Sequence, residues 1–204
     1  MRRLWDIHGG IHPPENKHQS LGGPIRDAGI PPELVLPLSQ HIGAPAKPVV
    51  EVGERVRKGQ LIAAASGAVS VPLHAPTSGT IAALEDRLIA HPSGLCAPCI
   101  VMTTDGRDEW TDLEPTPDYR ALAPQELLAR IRNGGIAGMG GAGFPAAVKL
   151  STRPGSSVAT LIINGTECEP YITADDILMR EQPDRIVEGV KILIHLLQPG
   201  EVLI

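Results

Sequence analysis

The sequence predicts a mixed chain: an all-β module followed by the beginning of an α/β domain. Three observations carry this expectation. Residues 49–103 form a more regular unit, which opens at 49–62 with strand alternation broken by two glycines, Gly53 and Gly59. Residues 124–204 instead interleave helical stripes with two apolar runs, 158–163 and 202–204, which read as parallel strands joined by a right-handed crossover. Aromatic residues make up only 2% of the 204, and Phe144 is the sole phenylalanine, so the core must rest on Val, Ile, Leu and Ala. The length allows one large or two small domains.

The formal net charge of −5 argues against non-specific nucleic-acid binding. No apolar run approaches the roughly 18–20 residues a membrane helix needs. The start, Met1-Arg2-Arg3-Leu4-Trp5-Asp6, lacks the apolar stretch of a signal peptide. A soluble chain without its own transmembrane segment is expected, able to dock on a membrane complex. Three cysteines, an odd number, do not suggest a disulfide framework.

Taken in order, residues 1–48 are rich in Pro, Gly and His. Gly9-Gly10-Ile11-His12-Pro13-Pro14-Glu15-Asn16-Lys17 reads as irregular, because consecutive prolines block helix and ladder alike. His8, His12 and His18 share no helical or strand register and read as solvated or packing residues, as does His41. Leu34-Val35-Leu36-Pro37-Leu38 reads as a short strand ended by proline. Residues 53–62 follow Gly-x-x-Val-x-x-Gly-x-x-Ile, and 75–81 follow Ala-Pro-x-x-Gly-x-Ile. The pair resembles the barrel-sandwich fold of biotinyl and lipoyl carrier domains. Those carriers hold their cofactor on a lysine at a hairpin tip. The corresponding stretch here, 63–71, has no lysine, so the module reads as scaffold.

Cys96-Ala97-Pro98-Cys99 leaves structural, redox and metal readings open; without a second pair, and with 99–102 reading as a buried strand, the structural one is favoured. Residues 104–123 are acidic and proline-punctuated and read as a linker. A boundary at 115–122 divides the chain into 1–115, with its β module at 49–103, and 116–204. A helix starts at Pro124, with Leu127, Leu128 and Ile131 as its stripe, and stops at Asn133-Gly134-Gly135. A second is opened by Pro145. A third runs from Thr173 to Arg180, with Asp176 completing a capping-box-like pair. A fourth carries Ile186, Val190, Leu193, Ile194 and Leu197 and stops at Pro199-Gly200. The last strand only begins at 202–204, so the sequence reads as an amino-terminal fragment of an incomplete α/β domain.

The candidate site is Gly138-Met139-Gly140-Gly141-Ala142-Gly143-Phe144-Pro145, followed by Lys149. Few side chains there let backbone N–H groups close on a ligand. Pro145 suits the first turn of a helix, whose N-terminus favours an anion, and Lys149 adds a full charge one turn on. Gly138-x-Gly140-x-x-Gly143 matches a dinucleotide fingerprint in form, yet no strand precedes it. It is not a Walker A loop either, since Leu150 follows Lys149. Spacing alone leaves a hinge as the alternative. A second segment, Asn164-Gly165-Thr166-Glu167-Cys168-Glu169-Pro170, sits at the carboxyl end of the predicted strand, where open α/β sheets bind ligands. Its carboxylates read as solvated, helix-capping or ligand-facing. Cys168, flanked by Glu167 and Glu169, is a poor nucleophile candidate.

Together these segments carry a resemblance. The glycine loop with Lys149 is similar to the FMN loop of the NADH-oxidising flavoprotein of respiratory complex I, and Asn164-Gly165-x-Glu167-x-Glu169-Pro170 to that family's second flavin and NADH segment. With residues 9–17 and the barrel-sandwich pattern, the chain resembles the RnfC family of the Rnf ion-translocating electron-transport complex over essentially its whole length. The resemblance implies that Gly138, Gly140, Gly141, Ala142 and Gly143 line FMN and that Lys149 faces its phosphate side. It implies that Asn164 and Glu167 hydrogen-bond the flavin, and that Phe144 and Glu169 face the nicotinamide nucleotide. Met139, Ala146 and Thr166 depart from the complex I pattern, where arginine, threonine and aspartate are usual. The family also implies NADH as substrate, the other Rnf subunits as partners, a peripheral place on the cytoplasmic face of the inner membrane, and two [4Fe–4S] clusters in a further region. Three cysteines cannot supply those clusters here. A cobalamin reductase related to RnfC and a non-catalytic scaffold or inactive truncated fragment are the alternatives.

Overall fold

The computed structural model describes residues 8–11, 13–140, 143–153 and 155–204. They fall into two compact units. One gathers Ala28–Ser157 with His195–Leu197; the other joins the described residues up to Asp27 with Val158–Ile194 and Gln198–Ile204. The position 115–122 expected as a boundary falls inside the first of these units.

The first unit contains β1 (Glu33–Pro37), β2 (Lys47–Pro48), β3 (Arg55–Val56), β4 (Leu61–Ala64), β5 (Leu73–His74), β6 (Gly79–Leu88) and β7 (Cys96–Thr104). They form two antiparallel sheets, ordered β1-β7-β6-β3 and β2-β4-β5. Val56, Ile81, Ile100 and Met102 from the first sheet join Ile62, Ala63 and Leu73 from the second in one buried cluster. Among the described residues no aromatic one takes part, in line with the composition. Each buried aliphatic side chain is worth about 1.5–3 kcal/mol relative to exposure. Gly79 is demanded by packing: a Cβ there would lie 2.2 Å from the Thr103 carbonyl oxygen on the paired strand.

The hairpin between β4 and β5 is tied down. The Ser66 amide donates to Ser70 Oγ at 3.1 Å, the Ser66 hydroxyl donates to the Pro45 carbonyl, and Arg132 donates to the Gly67 carbonyl at 2.6 Å. The first part of the expected linker is likewise fixed to the sheet. Asp108 accepts from Lys58 at 2.6 Å and from Thr77 at 2.8 Å, and Asp105 accepts from Ser78 at 2.7 Å.

Two helices follow in this unit: α1 (Pro124–Asn133), with proline in its first turn, and α2 (Ala146–Leu150). The second unit contains β8 (Thr160–Ile162), α3 (Ala174–Glu181), α4 (Pro183–Leu197) up to Ile194, and β9 (Glu201–Leu203), with β8 and β9 parallel. The run 158–163, expected as a buried strand, forms only three residues of ladder, and Ile162 is 66% exposed. A two-stranded sheet has few neighbours to cover its faces, so β propensity here exceeds burial.

Candidate functional site

The glycine loop grows from the end of α1. Ala137 and Pro145 form an isolated antiparallel bridge, Gly138 N–H donates to the Phe144 carbonyl at 2.8 Å, and Ala146 N–H donates to the Ile136 carbonyl at 2.9 Å. The loop is therefore pinched at its base. Gly141 and Ala142 lie outside the described residues. Within the loop, Gly143 N–H donates to the Gly140 carbonyl at 3.2 Å. Met139 is exposed and Phe144 is half-buried.

The described glycines have different reasons to be glycine. Gly143 has φ +55°, and a Cβ there would meet the Gln40 carbonyl oxygen at 2.9 Å and His41 Cα at 3.1 Å. Its own fold excludes a side chain. Gly140 has open space within 4 Å, and Gly138 would make only ordinary contacts with the Phe144 backbone. Neither has a φ that requires glycine. Bare backbone that packing does not demand is what close approach of a ligand needs.

His41, under the loop, is buried and satisfied: Val71 N–H donates to its Nε2 at 3.2 Å, and Nδ1 lies 3.0 Å from the Ile42 carbonyl. These partners select the tautomer with the proton on Nδ1. Nearby, Gly135 packs over the Pro72 carbonyl and His74, whose imidazole burial holds below its ordinary value. The β unit thus seats the loop at both ends through backbone contacts.

Pro145 is the N-cap of α2 and not its first helical residue. The helix has five residues, so Lys149 stands in its last turn as well as one turn from the loop, and it is exposed. A lysine at a helix C-terminus interacts favourably with the dipole there, and its flexible stem leaves the ammonium free to reach an anion.

The second segment follows β8 directly, at the carboxyl end of that strand. Asn164 Oδ1 accepts from Thr166 N–H at 3.1 Å and Thr166 Oγ1 at 2.6 Å, a local turn. The two carboxylates part ways. Glu167 reaches the start of α3 and accepts from Asp176 N–H at 3.1 Å. Thr173, expected to cap that helix with its side chain, makes no such bond, because Glu167 occupies the donor instead. Glu169 and Cys168 are exposed.

Sequence reasoning missed what holds this segment. Glu167 and Tyr171 both have positive φ, +47° and +68°. Lys17 Nζ donates to the carbonyls of Glu167 and, at 3.2 Å, of Ile172. Tyr171 N–H donates to the Glu15 carbonyl at 2.8 Å, Asn16 donates to the Tyr171 hydroxyl at 3.2 Å, and Ser20 donates to the Tyr171 carbonyl. These partners are separated by about 150 positions in sequence, beyond any local pattern; only the irregular, polar character of 13–17 hinted at a bonded arm.

The CxxC does not form a site. Cys96 is exposed and Cys99 is buried on β7, and residues three apart on a strand point to opposite faces. Burial pushes the Cys99 thiol up, with weaker opposing help from the Arg87 backbone. Among the described residues no group of three or more His, Cys, Asp or Glu could hold a metal ion.

Residues 5–107 match the family model described as the RnfC Barrel sandwich hybrid domain. The chain belongs to the RnfC family. Residues 131–204 match the Nuo51 FMN-binding domain. The chain is 55% identical over 97% of its length to the C subunit of the ion-translocating oxidoreductase complex of Vibrio cholerae, covering 25% of that protein. It is 52% identical over its full length to the protein of that description in Pseudomonas aeruginosa, covering 26%, and 52% identical over 99% of its length to that of Serratia proteamaculans, covering 28%. It therefore spans about a quarter of the length of these curated relatives. The glycine loop and the 164–170 segment both fall inside the second match. No helix among the described residues is long and apolar enough to cross a membrane.

Proposed function

We propose that this chain is the cofactor-binding part of an electron-transfer subunit in a membrane-associated Rnf-type ion-translocating complex. Electrons are exchanged between NADH and a ferredoxin pathway through FMN. The observation that carries this reading is the bare backbone at Gly138 and Gly140, which the fold does not require. It is supported by the match of this region to an FMN-binding domain. Gly138, Gly140, Gly141, Ala142 and Gly143 line the flavin through their backbones, and Lys149 neutralises the phosphate. Asn164 and Glu167 hydrogen-bond the flavin. Phe144 and Glu169 face the nicotinamide. FMN, when bound, supplies the chemistry, taking a hydride equivalent and releasing electrons singly. The protein binds, orients and excludes water, and no side chain need act as acid or base.

The division of labour is 1–115 as scaffold and 116–204 as cofactor domain. Two [4Fe–4S] clusters belong to the region of the longer relatives that this chain does not span, and the other Rnf subunits are the partners, at the cytoplasmic face of the inner membrane. Titration of the chain with FMN, followed by flavin fluorescence, tests the site. Lys149→Ala is expected to weaken binding about tenfold, the loss of one charge-assisted contact. No binding by the unaltered chain, or equal binding by the variant, overturns the respective assignment.

A further inference from the structure

We propose that Lys17 is a positioning residue for the 164–170 segment: its ammonium ties the carbonyls of Glu167 and Ile172 together and so sets where Glu169 stands. A left-handed backbone is disfavoured for a non-glycine residue, and such residues persist only when their surroundings over-determine them. Two of them, Glu167 and Tyr171, bracket Cys168, Glu169 and Pro170. The surroundings that hold them come largely from one short arm. Glu15 takes the Tyr171 amide, Asn16 its hydroxyl, Ser20 its carbonyl, and Lys17 both the Glu167 and the Ile172 carbonyl.

Lysine suits this position. An ammonium has three rotatable donors on a flexible stem and accepts nothing, so it can serve two carbonyls that diverge from one another. Lys17 is half-buried, which strengthens both bonds over exposed ones. The arm has its own short 3₁₀ turn at Lys17–Gln19, entered through Asn16 at φ +50°. That turn aims Lys17 and Ser20 together. With Glu167 further engaged on the first turn of α3, its backbone is gripped from the arm and its side chain from the helix. Glu169 stands two residues on, exposed and inside the bracket, so the bracket sets its place.

The ligand-facing consequence rests on the function proposed above; the bracket itself does not. Hydrogen–deuterium exchange on the 204-residue chain without FMN reads the bracket. Lys17→Met is expected to speed exchange of the 167–172 amides at least tenfold, with β6 and β7 unchanged. Ser20→Ala, a milder change that keeps the fold, is expected to give a smaller rise in the same segment. Unchanged exchange in both variants overturns the proposal. FMN titration then reads the consequence: Lys17→Met weakens binding several-fold and alters the visible spectrum of bound flavin at saturation, and Lys17→Arg, whose fork can also reach two carbonyls, restores both. Faster exchange with unaltered affinity and spectrum overturns the positioning role. If the unaltered chain binds no FMN, the functional reading fails while the exchange result still decides the bracket.

Discussion

At position 143 an added methyl group would lie 2.9 Å from the Gln40 carbonyl oxygen, on a backbone at φ +55°, whereas at 140 it would meet nothing within 4 Å. The two glycines should therefore separate stability from binding. Gly143→Ala is expected to cost about 1–3 kcal/mol, since both the conformation and the space exclude a side chain. Gly140→Ala is expected to change stability by no more than about 0.5 kcal/mol while weakening FMN binding several-fold. Denaturant unfolding and flavin titration of the two variants check the pair. Equal stability losses would mean that Gly140, too, serves the fold. Lys149 and Glu169, both exposed, have no packing role that would mask a binding effect. Glu167 is different: it caps α3, so its removal would perturb helix and site together.

At the scale of elements, β7 shows how a motif is taken apart by geometry. Its alternation sends Cys96 to solvent and Cys99 to the core, so the two sulfurs of the CxxC cannot meet without unfolding the strand. All three cysteines are free. A thiol reagent is expected to modify Cys96 and Cys168 rapidly in the native chain and Cys99 only on unfolding, because the thiolate is the reactive form and burial disfavours it. Mass spectrometry of peptides from a labelling time course checks this. An intramolecular Cys96–Cys99 bridge in mildly oxidised native protein would contradict it. Two irregular segments are governed by the same rule of partners: the carboxylates at 105 and 108 are taken by Ser78, Thr77 and Lys58, and the carbonyls at 167, 171 and 172 by the amino-terminal arm.

For the molecule as a whole, acid is the condition that tests these attachments. The Ser78 hydroxyl, with the Arg107 amide, holds the Asp105 carboxyl below its ordinary value, and Lys58, with Thr77, does the same for Asp108. Carboxyls depressed in the folded state contribute stability that is present above the unfolded value near pH 3.8 and is lost as pH falls through the folded values. Unfolding midpoints measured from about pH 6 downward should fall most steeply below about pH 4. Lys58→Met should make that fall shallower, because its charge and hydrogen bond no longer depress Asp108. An unaltered pH profile in the variant would show that the attachment adds nothing to stability.

Much of the chain is legible from local rules. The strands β1 and β7, the start of α1 at Pro124, its end at Asn133, and the stripe of α4 all follow from them, because alternation, helical spacing and proline or glycine stops act over a few residues. The loop at 138–149 and the segment at 164–170 stand out as candidates for the same reason, since each is a contiguous motif. Spacing does not reveal where polar groups find partners far along the chain. The acidic stretch that reads as a linker is bonded to Lys58, Thr77 and Ser78. The cap expected from Thr173 is supplied by Glu167. The apolar run at 158–163 is a short, exposed ladder. Lys17, an ordinary residue in an irregular stretch, proves to grip a carbonyl 150 positions away. Local chemistry determined which elements and motifs exist. Tertiary structure alone decided which donors meet which acceptors, because a hydrogen bond or an excluded methyl group depends on distances in space that spacing along the chain does not encode.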